Sequence, residues 1–223
     1  MKYLLCSAAL VLLALQSSVA QDPKPMVKIA CIGDSITFGH GIKDPELTYP
    51  SQLQQILGAG FAVKNFGNSG RSILKKSMRG KEKRAFIFMK DHQEALAFQP
   101  DIVICNLGIN DLMDFDKFGD DFVTDYIELL TAYRSLDSKP RIIVWAQLAP
   151  LFEGHAFFED DRIDKINREI EKVVKKMEIE SIDMKRPFHN EGALFPDNIH
   201  PNAGGAAIIA KVTAALLKKS HIK

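Results

Sequence analysis

The tightest constraint on the fold of this chain is the run Val27-Lys28-Ile29-Ala30-Cys31-Ile32, cut off abruptly by Gly33, Asp34 and Ser35. Apart from Lys28 it is apolar at both alternating positions, as a central strand of a parallel sheet is. A strand with one face in water alternates instead. A buried helix segment lacks periodicity in the same way and stays open on this stretch alone. Gly33 permits a sharp turn at the strand's carboxyl end, which delivers Ser35 to the rim where open α/β sheets hold their ligands. If a helix starts there, the Ser35 N–H points at whatever its hydroxyl attacks. Two roles therefore fit Ser35, a nucleophile or a plain helix cap.

The rest of the chain alternates strand-like and helix-like segments. A helix is expected over Pro50–Leu57, stopped by Gly58, and a second strand over Phe61–Phe66. A helix over Arg84–Phe98 would end at Pro100, and Asp101–Leu107 reads as the third strand. Apolar residues from Phe118 to Leu136 recur at helical spacing, as do those from Ile163 to Met177. Pro140–Ala146 and Ile179–Met184 read as strands four and five, and Ala203–Leu217 as a closing helix. Such alternation predicts an α/β fold, a three-layer α/β/α sandwich around a five-stranded parallel sheet. Right-handed crossovers make a flavodoxin-like order the economical topology.

Met1–Ala20 carries Lys2 in a short head, an apolar core over Ala8–Leu15 and a small-x-small ending at Ser18-Val19-Ala20. That is a signal-peptide pattern, too short in its core for a stable membrane anchor, and the expectation is export to the periplasm or beyond. Residues 21–26 then form a polar lead-in and 27–223 a single domain. Lys and Arg number 29 against 28 Asp and Glu, for a net charge of +1. This balance recommends neither nucleic acid nor a membrane surface as partner. Cys31 and Cys105 lie inside apolar runs and are expected to be buried free thiols.

The polar residues of interest fall at the carboxyl ends of the expected strands. They are Asn65, Gly67, Asn68, Ser69, Gly70 and Arg71 after strand two, Gly108, Asn110 and Asp111 after strand three, and Asp197 and His200 near the end. Each has an ordinary alternative: turn glycines, a capping asparagine, a surface histidine. Together they match the needs of acyl transfer by serine, namely a base within reach and a carboxylate to hold that base. Asp197 and His200, three apart, fit in one turn. The N–H groups of Ser35 and Gly70 and the Asn110 amide come from three strand ends and can converge on one oxyanion.

GDSIT at Gly33–Thr37, Gly70 in NSG, GIND at Gly108–Asp111 and DNIH at Asp197–His200 resemble, in order, the four blocks of the SGNH, or GDSL, hydrolase family. The resemblance implies Ser35 as nucleophile, His200 as base, Asp197 as its partner, and Ser35, Gly70 and Asn110 as oxyanion hole. Ile109 departs from the pattern, threonine being more usual there. No Gly-x-Ser-x-Gly elbow surrounds Ser35, against the lipase fold built on one. The stretches YPSQLQQILG, NSGRSILKK and LFPDNIHPN are similar to exported bacterial sialate O-acetylesterases and other carbohydrate acetylesterases, implying a short-chain, acetyl-removing esterase without cofactor. The implied partner is an acylated carbohydrate or another small ester. Lysophospholipase or thioesterase activity on the same machinery, and a silent glycan-binding module, are the alternatives.

The basic stretch Arg71, Lys75, Lys76, Arg79, Lys81, Lys83 and Arg84 reads either as a solvated face or as an attraction for an anionic glycan. Arg71 and Lys75 are its candidate substrate contacts. Phe152 and Phe157, with Phe158, are candidates for stacking on a sugar or for packing their own loop. His155, His189 and His200 share no metal-ligand spacing, so no metal is expected.

Overall fold

A computed structural model of the chain describes residues 26–78, 84–147, 160–188 and 191–219. Its strands are β1 (Val27–Gly33), β2 (Phe61–Gly67), β3 (Ile102–Asn106), β4 (Arg141–Gln147) and β5 (Glu180–Asp183). Its α-helices are α1 (Ser35–Phe38), α2 (Tyr49–Leu57), α3 (Lys90–Ala97), α4 (Phe115–Phe118), α5 (Phe122–Arg134), α6 (Asp160–Met177) and α7 (Ala203–Lys219). The strands form one sheet in the order β2-β1-β3-β4-β5, parallel throughout. This is the α/β fold expected, and residues 1–25, which hold the expected signal segment and most of the expected lead-in, lie outside the described residues.

The apolar runs exist because both faces of the sheet are covered. Ala30 and Ile32 of β1, Val103 and Cys105 of β3, and Ile142 and Val144 of β4 pack into one core with α3, α5 and α6. Their neighbours Ile29, Cys31, Ile102, Ile104, Ile143 and Trp145 pack into a second core with α2 and α7. Alternate residues therefore serve opposite layers, and the polar residues Lys28, Asn106, Arg141 and Gln147 are confined to the strand ends. Cys31 and Cys105 are free and buried, and burial pushes both thiols up to about 12. No described helix is long and apolar enough to cross a membrane.

The chain leaves β1 for β2 on one side and places β3 on the other, so β1 lies at the point where the strand order reverses. The crevice at such a point, beyond the carboxyl ends of the strands, is where this architecture binds ligands. Register brings Gly33 opposite both Gly67 and Asn106. The Asp34 N–H donates to the Asn106 carbonyl at 3.2 Å, and the Asn68 N–H to the Gly33 carbonyl at 2.9 Å. Three strand ends are thus tied together at one spot.

The one-turn helix α1 lies directly on the end of β2. A Cβ on Gly67 would stand 2.2 Å from the Phe38 nitrogen and 2.6 Å from the Thr37 carbonyl carbon. These are backbone atoms that no rotamer change can move aside. Gly67→Ala is expected to destabilise the protein by about 3 kcal/mol. The check is a lowered urea midpoint with an unchanged denaturant slope.

Candidate active site

Ser35 opens α1, and Asp34 caps it by accepting the Ile36 N–H at 3.0 Å. The serine is only 8% exposed. On the loop before α7, His200 lies between Ser35 and Asp197, with Nε2 2.8 Å from Ser35 Oγ and Nδ1 2.6 Å from Asp197 Oδ2. The other Asp197 oxygen accepts the backbone N–H groups of Ile199 at 3.0 Å and His200 at 2.7 Å. Asn198 reaches φ +63°, a left-handed conformation that asparagine tolerates better than most residues, and so closes this turn.

The electrostatics of Asp197 follow from these partners. Partial burial is the largest single influence and raises its pKa. The His200 ring and the two N–H donors together outweigh it and hold the carboxyl down at about 2. Ionised, it can only accept, so Nδ1 carries the hydrogen and Nε2 is left to accept from the Ser35 hydroxyl. This is the arrangement that lets a serine lose its proton to a neighbouring ring.

Gly70 has φ +74°, and its carbonyl accepts from the Arg84 guanidinium at 2.7 Å. Asn110 gives one hydrogen of its amide nitrogen to the Arg71 carbonyl at 3.0 Å. That bond fixes the plane of the carboxamide and leaves the second hydrogen of the same nitrogen for another acceptor. The carboxylate of Asp111 receives the N–H groups of Ile73 and Leu74, at 3.0 and 2.7 Å. Asp114 receives Ser77 Oγ and the Met78 N–H, both at 2.7 Å. The segment following Gly70 is therefore fastened by acids from the turn after β3.

The basic stretch is held by the same means. The Lys75 ammonium lies 3.1 Å from Asp125 and 2.6 Å from Glu128, both on α5, and Lys76 pairs with Asp121 at 2.8 Å. Lys75, a candidate for substrate contact, is thus directed to a helix carboxylate pair. Arg71 donates to the Ser69 carbonyl at 3.2 Å and to the Met89 sulfur at 3.3 Å, both neutral partners. Arg79, Lys81, Lys83, Phe152, Phe157, Phe158, His155 and His189 lie outside the described residues.

Two side chains escaped the sequence reading. Arg84 reads in the sequence as part of a charged run, yet its guanidinium orients the Gly70 carbonyl. His40 stacks on His200, with ring centroids 4.4 Å apart. Its sequence signal is the pair of flanking glycines, Gly39 at φ +92° and Gly41 at φ +81°, which let the chain fold back after α1. The N–H groups of Gly39 and His40 both donate to the Ser35 carbonyl, at 3.0 and 2.9 Å.

With this geometry in view, comparison with known proteins is specific. The model of the GDSL-like lipase/acylhydrolase family matches residues 31–208, and the chain belongs to that family. It is 32% identical over 224 residues to an acetylxylan esterase of Xylanibacter ruminicola, covering 90% of this chain and 45% of that protein. The chain thus spans about half the length of the curated relative it matches. Among solved structures it is similar to a two-domain esterase active on acetylated mannans, with TM-score 0.68 and 21% identity over 89% of this chain and 50% of that one. An acetyl xylan esterase matches with TM-score 0.65 and 18% identity, over 86% of this chain and all of the other. At such identities the two structures establish a shared fold.

Asp111 is fully buried, and its desolvation raises the carboxyl to about 7 against the opposing N–H bonds of Ile73 and Leu74. Such an acid holds its proton more tightly when folded than when unfolded. Its contribution to stability is complete below the unfolded value of 3.8 and is lost as pH rises through about 7. The stability of wild type relative to Asp111→Asn should therefore fall between about pH 4 and pH 7 and then level off. Denaturant midpoints of both proteins across that range are the check.

Proposed function

We propose that this chain is a serine esterase that removes acetyl groups from an acetylated carbohydrate. The observation that carries the reading is the single histidine bridging Ser35 and Asp197 at 2.8 and 2.6 Å. Ser35 Oγ attacks the ester carbonyl while His200 Nε2 takes its proton. His200 then returns that proton to the departing sugar oxygen, leaving an acetyl-serine. A water, deprotonated by His200, attacks the acetyl carbon, and collapse releases acetate and restores Ser35. Asp197 keeps the imidazole in the required tautomer and offsets its charge while it is protonated. The N–H groups of Ser35 and Gly70 and the free Asn110 amide hydrogen serve the oxyanion, which is where such a site gains most of its rate.

Substrate class rests on the relatives: an acetylxylan esterase by sequence, and esterases of acetylated mannan and xylan by fold. Arg71, next to Gly70 and bound to neutral partners, is the cation we place at the substrate mouth. We also read residues 1–20 as an export signal, from their basic head, apolar core and small-x-small ending.

Ser35→Ala should lower acetate release from acetylated xylan or mannan roughly a thousandfold or more, with the circular-dichroism spectrum unchanged. A variant keeping a tenth of the rate would sink the mechanism. Asp197→Asn should cost orders of magnitude through the wrong tautomer. Nitrophenyl acetate should exceed nitrophenyl octanoate in kcat/KM, and the reverse order would favour a lipid or thioester substrate.

Arg84→Gln tests the oxyanion geometry separately. Without the guanidinium on its carbonyl, the Gly70 peptide loses a fixed orientation. The expected result is a kcat lowered about tenfold with KM little changed, because the donors act on charge that develops only in the transition state. Arg84→Lys should restore part of the loss.

A further inference from the structure

Beside the Ser35–His200–Asp197 line lies a shallow cleft of about 150 Å³, lined by His40, Gly41, Pro196, Asp197, His200, Pro201 and Asn202. Three of these side chains carry metal-ligating atoms. One ring nitrogen of His40, one of His200 and a carboxylate oxygen of Asp197 all lie within 4.8 Å of one another. Among the described residues, no lysine or arginine lines the cleft to repel a cation. We propose that His40, Asp197 and His200 form a site for a divalent transition-metal ion, with zinc the best fit, and that its occupation switches off the chemistry of Ser35.

The donor set argues for the ion. Two imidazoles and one carboxylate suit zinc and its borderline neighbours, whereas calcium and magnesium favour oxygen shells. Three protein ligands leave a fourth tetrahedral position for water or for a product carboxylate. Bonds of about 2.0 to 2.2 Å to the metal place tetrahedral donors roughly 3.3 Å apart, so the set must draw together by about 1.5 Å. The His40 side chain supplies that movement: it is exposed and packs on the His200 ring, while its N–H stays on the Ser35 carbonyl at 2.9 Å. Asp197 and His200 already lie in one turn, and the ion enters by opening the bond of His200 Nδ1 to Asp197 or that of Nε2 to Ser35.

Occupation has a direct consequence. A metal at His200 takes the lone pair that accepts the serine proton, or replaces the Nδ1 hydrogen and stands between the ring and Asp197 in place of their hydrogen bond. Either way His200 ceases to be a base. His40 has no part in the uninhibited reaction as proposed, so the ion and the reaction meet only at His200 and Asp197. The inhibitory consequence rests on the esterase reading, while the site itself does not.

The experiment is zinc titration of the metal-free chain by calorimetry, beside acetate-release assays over the same concentrations, for wild type, His40→Ala and His40→Gln. Wild type should bind one zinc ion at this site and lose activity in step with occupancy. Each variant, compared with its own zinc-free rate, should need at least tenfold more zinc for binding and for inhibition. Cobalt provides a second readout, a tetrahedral visible absorption in wild type that is absent from both variants. Equal zinc affinity in wild type and the His40 variants, or no binding by wild type at millimolar zinc, would overturn the proposal. His40-dependent binding in a protein with no esterase activity would leave the site standing and remove the esterase reading instead.

Discussion

The close approach of α1 to the carboxyl ends of β1 and β2 is the contact on which the rest of this site depends. It is backbone against backbone. Gly67 lies under Thr37 and Phe38, and Gly33 leaves no room for a side chain beside Thr37 Oγ1 and the Asn106 carbonyl. Because the helix sits so low, Ser35 falls at its first position, above the sheet edge, with Asp34 free to cap it. The cross-strand bonds of Asp34 and Asn68 then hold the loops after β1, β2 and β3 at a common height. Groups from three separate strand ends can be aimed at one point only because these backbones are locked first.

Three motif aspartates show how environment divides similar groups among different tasks. Asp34 and Asp111 are fully buried, and desolvation raises each to about 7. They accept backbone N–H groups: Asp34 that of Ile36, together with the Asn106 amide at 3.5 Å, and Asp111 those of Ile73 and Leu74. Asp197 has a half-exposed side chain, and the pull of the His200 ring and two N–H groups leaves it ionised down to about 2. Burial and backbone bonding make braces of the first two. Partial exposure and a histidine neighbour make a permanent anion of the third.

The strands were legible because a parallel sheet with both faces covered admits little but apolar residues, and β1, β3 and β4 fall within a residue or so of their expected bounds. Local pattern misled where a distant partner intervened. The expected helix over Arg84–Phe98 begins only at Lys90, since Ser72 pairs with the backbone at Ala85 and draws Arg84 and Phe86 into hydrogen bonds with it. Similarly, α5 begins at Phe122 after a short 3-10 turn over Gly119–Asp121. The candidate triad residues, which the structure brings together, were legible from residue type and from Ser35 closing an apolar run and Asp197 and His200 sharing one turn. His40 and Arg84 were not, because their partners are set by tertiary folding. The charge of Lys75 read as available for the same reason, its carboxylates lying on α5.

The order of these elements along the chain bears on synthesis as well as on structure. Ser35 and its short helix are made before the base, within the connection that follows β1. His200 and Asp197 sit in the turn that leads into α7, 165 residues after the serine in the case of His200. That turn is brought to the rim by the docking of α7 on α2, where Gln52 donates to the Ala203 carbonyl at 3.1 Å. On the chemistry proposed, a chain still emerging from the ribosome has its nucleophile in place but no base beside it. On that chemistry it is the docking of α7 on α2 that arms the site, by carrying the turn with Asp197 and His200 to the serine.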